Sequence, residues 1–337
     1  MRTITLEEHF VTQSFLDATQ KHRPAPPPIA RLHPQLLDLG MGRIAAMDEG
    51  GVDLQVLSLA SMGIDELDSA TATSLLRDVN DELAAAVRAN PSRLAGFAAL
   101  NLKDPASAAR ELERCVSQLG FVGALVDGMV RVEGAAKRSA GPSLFLDGPL
   151  FTPFWEAAAQ LGVPVYLHPA LPPPEVAEAY YSGLPGEHGD AVGFALSIAG
   201  WGWHSETAIH TLRLIASGLF DRLPGLQLIL GHMGEMLPMA LARSSAVLSR
   251  AAGNLQRPVA DYFQSNIHLT TSGYFTRPPL RCAVDVVGTD RLMFSVDYPF
   301  STNVQGREFL TDAAQWLSGA DTAKLSFGNA ERLLKLQ

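Results

Sequence analysis

A (β/α)8 barrel is the fold this sequence predicts, on three observations. Eight short β-type runs recur from one end of the chain to the other, separated by segments of helical pattern. Most are near-continuous apolar stretches rather than strict alternations, as parallel strands covered on both faces should be. No composition break or internal repeat divides the 337 residues, so one barrel domain spanning 1–337 is expected.

The runs are TITLEE (3–8), VDLQVLSLA (52–60), LAGFAAL (94–100), FVGALV (121–126), VPVYLH (163–168), LQLILGH (226–232), IHLTTSG (267–273) and RLMFSVD (291–297). In the first, residues two apart point the same way, so Glu7 and His9 aim a carboxylate and an imidazole at one point while Glu8 points elsewhere. A long connection follows at 11–41, with the run PAPPP at 24–28. Asp104 and Pro105 open the helix ASAARELERCVSQLG as N-cap and first-turn proline, and Gly120 stops it. The fifth run ends on His168. After it, residues 169–203 form a second long connection carrying Tyr180, Tyr181, Trp201 and Trp203, either an aromatic pocket wall or lid, or a subunit contact. Ser205 is positioned to cap ETAIHTLRLIASGLF, whose Ile209, Leu212, Ile215 or Ala216, and Leu219 repeat on one face. The sixth run ends on His232, followed by Met233, Gly234 and Glu235; the eighth ends on Asp297.

Composition narrows the function. Hydrophobic residues make up 47% and charged residues 18%, which suits a large core. A formal net charge of −9 with no basic run argues against a nucleic-acid partner. The same balance repels anions at long range, so an acidic substrate needs local metal or arginine charge. Cys115 and Cys282 form no disulfide framework and lie in predicted helices as small hydrophobes. With no signal-peptide h-region and no stretch fit to span a bilayer, a soluble, cytoplasmic protein without membrane association is expected.

Residues ending different strands of a barrel converge at its C-terminal mouth. Glu7, His9, His168 and Asp297 therefore meet there as mixed nitrogen and oxygen donors for one divalent metal. Zinc is the first expectation, and manganese or iron also suit the set. His232 is either a further ligand or a neutral acid/base beside the metal. Glu235, at the start of the next helix, orients and charge-stabilises it. Among the other histidines, His22, His33 and His188 lie in predicted loops and His210 sits mid-helix as a structural residue. His268 opens strand seven at the far end, and His204 borders the aromatic loop, within reach of the pocket.

EEHF at the start, FVGALVDG, PVYLHP, ETAIHTLRLIASGLFDRLPGLQLILGHMGE, HLTTSGYF and FSVDYPF, in this order along nearly the whole chain, resemble the amidohydrolase-related aromatic acid decarboxylases. That family includes γ-resorcylate and 2,3-dihydroxybenzoate decarboxylases, near relatives of aminocarboxymuconate semialdehyde decarboxylase. The resemblance implies Glu7, His9, His168 and Asp297 as metal ligands, His232 and Glu235 as a catalytic pair, and Arg243 reaching a neighbouring subunit's site. It also implies a homodimer or homotetramer acting on a small aromatic carboxylic acid. Hydrolytic relatives begin with His-x-His and many carry a lysine at strand four; Glu-x-His and FVGALVDG depart from both. Asp127 stands where relatives often carry asparagine, placing an extra carboxylate near the ring.

The chemistry expected is non-oxidative decarboxylation of a hydroxybenzoate. Direct loss of CO2 would leave a costly aryl carbanion, so the ring carbon is protonated first and CO2 then leaves. Asp297 is the expected proton donor, with His232 and Glu235 holding or relaying the proton. The alternative on the same residues is a metal-dependent hydrolase of a lactone, ester or amide.

Overall fold

All eight apolar runs form parallel strands, in a computed structural model that describes residues 1–22, 27–131 and 143–336. A three-stranded sheet joins β1 (Ile4–Phe10), β2 (Leu54–Leu59) and β3 (Leu94–Gly96). A six-stranded sheet runs β4 (Ala98–Ala99), β5 (Ala124–Asp127), β8 (Val165–His168), β9 (Leu228–Leu230), β10 (Ile267–Thr270) and β11 (Leu292–Met293). The run expected as one strand at 94–100 is two short pieces, β3 and β4, which pair with different sheets and so carry the barrel from one to the other. An antiparallel hairpin, β6 (Met129–Arg131) with β7 (Ser143–Phe145), was not evident in the sequence.

The other seam, between β11 and β1, is made largely by side chains. Glu8 is fully buried. One of its oxygens accepts from the Val296 N–H at 2.8 Å and the other from the Tyr298 N–H at 3.1 Å. The Glu7 N–H donates to Ser295 Oγ at 2.6 Å, and the His9 N–H to the Tyr298 carbonyl at 2.7 Å. Glu8 thus stays out of the mouth, as expected, and does work that strand pairing does elsewhere.

Alternate residues of the strands fill the barrel interior: Ile4 and Leu6, Val56, Phe97, Leu125, Tyr166, Ile229 and Met293. The opposite faces pack against the outer helices around Trp155, Phe220 and Phe263. Asp104 caps the helix Pro105–Leu119 by accepting from the Ser107 N–H at 3.0 Å, and Gly120 ends it in the left-handed conformation. Cys115 is buried on that helix, while Cys282 is only partly covered. His210 is structural as expected, its Nε2 accepting from the Leu146 N–H at 2.9 Å. Two local expectations are corrected. The helix after the fifth strand begins at Gly202 rather than at a Ser205 cap. The long connections are themselves helical: 11–41 contains Gln13–Thr19, Pro27–Ala30 and His33–Leu37, and 169–203 contains Pro174–Tyr181 and Gly189–Ser197. Of the PAPPP run, residues 24–26 fall outside the described residues.

Candidate metal centre and active site

Glu7 reaches the mouth because β1 is irregular. Its register against β2 shifts between Thr5 and Glu8. Ile4 and Leu6 face the barrel interior before the shift, and Glu7 and His9 take the inward phase after it. A bulge re-aims side chains in this way and is common beside active sites. One Glu7 oxygen accepts from the Tyr166 hydroxyl, which also meets Thr270 Oγ1 at 2.6 Å. Its other oxygen, Oε1, is buried with no hydrogen-bond partner. It lies 3.5 Å from His168 Nε2 and 3.9 Å from His232 Nε2. Burial favours the neutral form of Glu7, but the imidazoles of His232, His168 and His9 outweigh it and hold the pKa near 2.

The donor atoms of Glu7, His9 and His168 all lie within 4.8 Å of one another. His9 Nε2 is also 3.3 Å from Asp297 Oδ1. Ligands at about 2.0–2.2 Å from a common ion stand roughly 3–3.5 Å apart, so these spacings and the unpartnered Glu7 oxygen fit a divalent cation. The outward nitrogens are held from behind. His168 Nδ1 meets Asp127 Oδ1 at 3.2 Å, and His9 Nδ1 meets Ser58 Oγ at 3.4 Å. A ligating histidine is oriented by such a partner on its other nitrogen. Asp127 therefore acts on His168, and its second oxygen accepts from the Ser61 hydroxyl, although it also borders the pocket.

His232 leaves β9 in a turn of left-handed residues: His232, Met233, Gly234, Glu235 and Met236 all have φ between 49° and 81°. Glu235 therefore precedes the helix Leu237–Ala251 instead of opening it, which corrects the helix-terminus expectation. Gly231 permits the approach, because a Cβ there would stand 2.7 Å from Glu7 Oε2. His232 Nδ1 bonds Glu235 Oε1 at 2.8 Å, leaving Nε2 toward the pocket. Burial disfavours the charged imidazole, yet the Glu235 and Glu7 carboxylates overcome this and raise its pKa to about 10. A bound cation would act in the opposite direction. The second Glu235 oxygen meets His204 Nδ1 at 2.6 Å, so His204 joins the centre. Strained backbone gathers here: of the non-glycine residues with positive φ among those described, all but Lys335 lie in the connections after β9, β10 and β11.

Over these groups lies a cavity of about 210 Å³ lined by His9, His168, His232 and Asp297 on one side. Ile29, Met62, Leu171, Ile198, Trp203 and Phe300 form apolar walls. The connection at 169–203 is thus a pocket wall through Leu171, Ile198 and Trp203, whereas Tyr180 and Trp201 are exposed on its outside. Arg243 is exposed on Leu237–Ala251 and does not line this cavity of its own chain. Sequence reasoning missed Tyr166. The signal was present: a tyrosine in a buried strand needs a partner for its hydroxyl, and this one shares the phase of His168 two residues on.

The amidohydrolase family model matches residues 27–336. The γ-resorcylate decarboxylase of Polaromonas sp. is 41% identical over 99% of this chain and 98% of its own. A crystal structure of dihydroxybenzoic acid decarboxylase from Polaromonas sp. JS666, with bound manganese and the inhibitor 2-nitroresorcinol, superposes with a TM-score of 0.88. It is 39% identical and covers 99% of this chain and 97% of that one. A 2,6-dihydroxybenzoate decarboxylase complexed with 2,6-dihydroxybenzoate gives 0.87, at 37% identity over 100% and 99% of the two chains. A barrel with Glu-x-His on its first strand, His168 and Asp297 at later strand ends, and relatives alike over their whole length place this chain among the amidohydrolase-related aromatic acid decarboxylases.

Proposed function

We propose that this protein is a carboxy-lyase: a metal-dependent, non-oxidative decarboxylase of a hydroxybenzoate-type aromatic acid. The observation that carries the reading is the buried, unpartnered Glu7 Oε1 beside three imidazoles at the floor of an apolar cavity sized for a substituted ring. A divalent metal is the cofactor, and Glu7, His9, His168 and Asp297 would hold it. Manganese is favoured over the zinc expected first, since related structures carry bound manganese and the set of two carboxylates and two imidazoles accommodates it. When bound, such an ion supplies Lewis-acid stabilisation of anionic oxygen.

The chain's own residues supply the rest. The apolar walls orient the ring and exclude water, which strengthens every charge interaction at the floor. Asp297, whose Oδ1 lies 3.3 Å from His9 Nε2, would deliver the proton from its other oxygen to the ring carbon bearing the carboxylate. That carbon gains the C–H bond; the C–C bond to the carboxylate then breaks, its electrons return to the ring and CO2 departs. His232 holds a proton at Nε2 for the same face of the pocket, its orientation set by Glu235. A hydroxyl ortho to the carboxylate is needed, because it donates electrons into the carbon being protonated.

We also infer a homo-oligomer in which Arg243 completes a neighbouring pocket. On Leu237–Ala251, Met239, Arg243 and Val247 follow one another at four-residue spacing on an outward face, with Met239 88% exposed and Val247 43% exposed. The test of function is a panel of hydroxybenzoates and their ortho-methoxy analogues, assayed for CO2 with manganese or zinc added. Turnover of free ortho-hydroxy acids alone is expected. Ester, lactone or amide cleavage without CO2 would replace this reading by a hydrolase.

A further inference from the structure

The catalytic carboxylate Glu235 is fully buried, and it is shared. Oε1 takes His232 Nδ1 at 2.8 Å and Oε2 takes His204 Nδ1 at 2.6 Å. The two rings stand edge to face with centroids 4.8 Å apart, and Tyr274 packs against both, at 5.5 Å from His204 and 5.9 Å from His232. His204 is itself only 3% exposed, and its Nε2 meets the Ala199 carbonyl at 3.1 Å. A carbonyl and a carboxylate only accept, so both nitrogens of His204 donate. His204, His232 and Glu235 also lie close enough to resemble a metal site. The Nδ1 atoms of both rings, however, are already spent on hydrogen bonds to Glu235 that an ion between them would have to break.

We infer that His204 is a positioning residue: by donating to Glu235 Oε2 it fixes the carboxylate in the rotamer whose other oxygen locks His232 with Nδ1–H inward and Nε2 toward the substrate. Without that second bond, the carboxylate has one buried oxygen unpartnered and is free to turn away from His232, at a cost that falls on His232's orientation. The Ala199 contact extends the arrangement. Ala199 lines the cavity, so His204 ties the pocket wall after β8 to the catalytic pair after β9. A ring here is within contact of every group it serves, without touching substrate.

This inference rests on the decarboxylase reading for its kinetic arm only. In the zinc-loaded, and therefore diamagnetic, enzyme labelled with ¹⁵N-histidine, His204 is expected to show protons on both ring nitrogens and His232 a slowly exchanging Nδ1–H. His204→Phe keeps the ring and its packing but removes both donors. It should abolish the His232 Nδ1–H signal and lower kcat about 10–100-fold at unchanged KM and metal content. His204→Gln, which restores one donor, should recover most of both. A His232 signal and a kcat unchanged in His204→Phe would overturn the inference, as would a His204 with one ring proton in the wild type. Should His204→Phe fail to fold, the wild-type spectrum and the glutamine variant decide alone. If no hydroxybenzoate is turned over by the wild type, the functional reading fails while the spectra still decide the role of His204.

Discussion

An ionised carboxylate buried with one oxygen unpartnered costs a folded chain about 1–3 kcal/mol or more. On the proposed reading, a cation held beside Glu7 Oε1 would offset that cost. If His168 is one of its ligands, His168→Ala should lose metal and activity together while far-ultraviolet circular dichroism stays unchanged, because the side chain lies at a strand end and not in the core. Full metal occupancy by elemental analysis in that variant would remove His168 from the set. Asp297→Asn keeps an oxygen for the metal and removes the transferable proton, so activity should fall by several orders of magnitude with metal retained. Glu235→Gln should cost less, on the order of 10²–10⁴-fold. Near-wild-type turnover by a metal-loaded Asp297→Asn enzyme would end its role as donor. His168 and Asp297 were legible in the sequence because each closes an apolar run, where barrel topology brings strand ends together. Glu7 and His9 were legible as residues two apart on one strand, while the register shift that turns them inward was not. His204 was legible only as a neighbour of the aromatic loop. Its function depends on the turn that carries Glu235 back toward it, and nothing in residue spacing announces a succession of left-handed residues.

The strands themselves were readable because burial on both faces leaves a continuous apolar signature, and helix limits were readable where a cap stated them, as at Asp104 and Gly120. What escaped were the irregularities: the break between β3 and β4, the register shift in β1, and the seam that Glu8 closes. The first two depend on pairing with neighbouring strands and the seam on hydrogen bonds between residues almost the whole chain apart, and periodicity encodes neither. Glu8 makes the point testable. Its oxygens accept from two backbone N–H groups, from the Ser295 hydroxyl at 3.2 Å and from Gln55 Nε2 at 3.4 Å. Glu8→Gln replaces an acceptor by a donor that faces other donors. Stability in denaturant should drop by about 1–3 kcal/mol, the cost of buried groups left unsatisfied. An unchanged unfolding midpoint would show that the seam is held without it.

At the scale of the whole molecule, the net charge of −9 sets a problem that the pocket alone does not solve. An anionic aromatic acid approaches an acidic protein against its field, and among the described residues no arginine or lysine lines the cavity. A cation held by the proposed ligands would supply local positive charge, and an arginine from a neighbouring subunit would add to it, with a planar fork suited to carboxylate or phenolate oxygens. The face bearing Met239, Arg243 and Val247 has the apolar exposure an interface requires. No helix among the described residues is long and apolar enough to cross a membrane. If Arg243 serves the partner's pocket, two defects on different chains can compensate. Arg243→Ala and Asp297→Asn homo-oligomers should each be nearly inactive. In a mixed dimer, one pocket then combines an intact Asp297 with the intact Arg243 of the other chain, so subunit exchange should restore up to about half the activity per hybrid, one pocket of two, as each site needs both groups in place. Hybrids separated by differential tagging and shown to contain both chains, yet without recovered turnover, would place Arg243 in its own chain's service or outside catalysis.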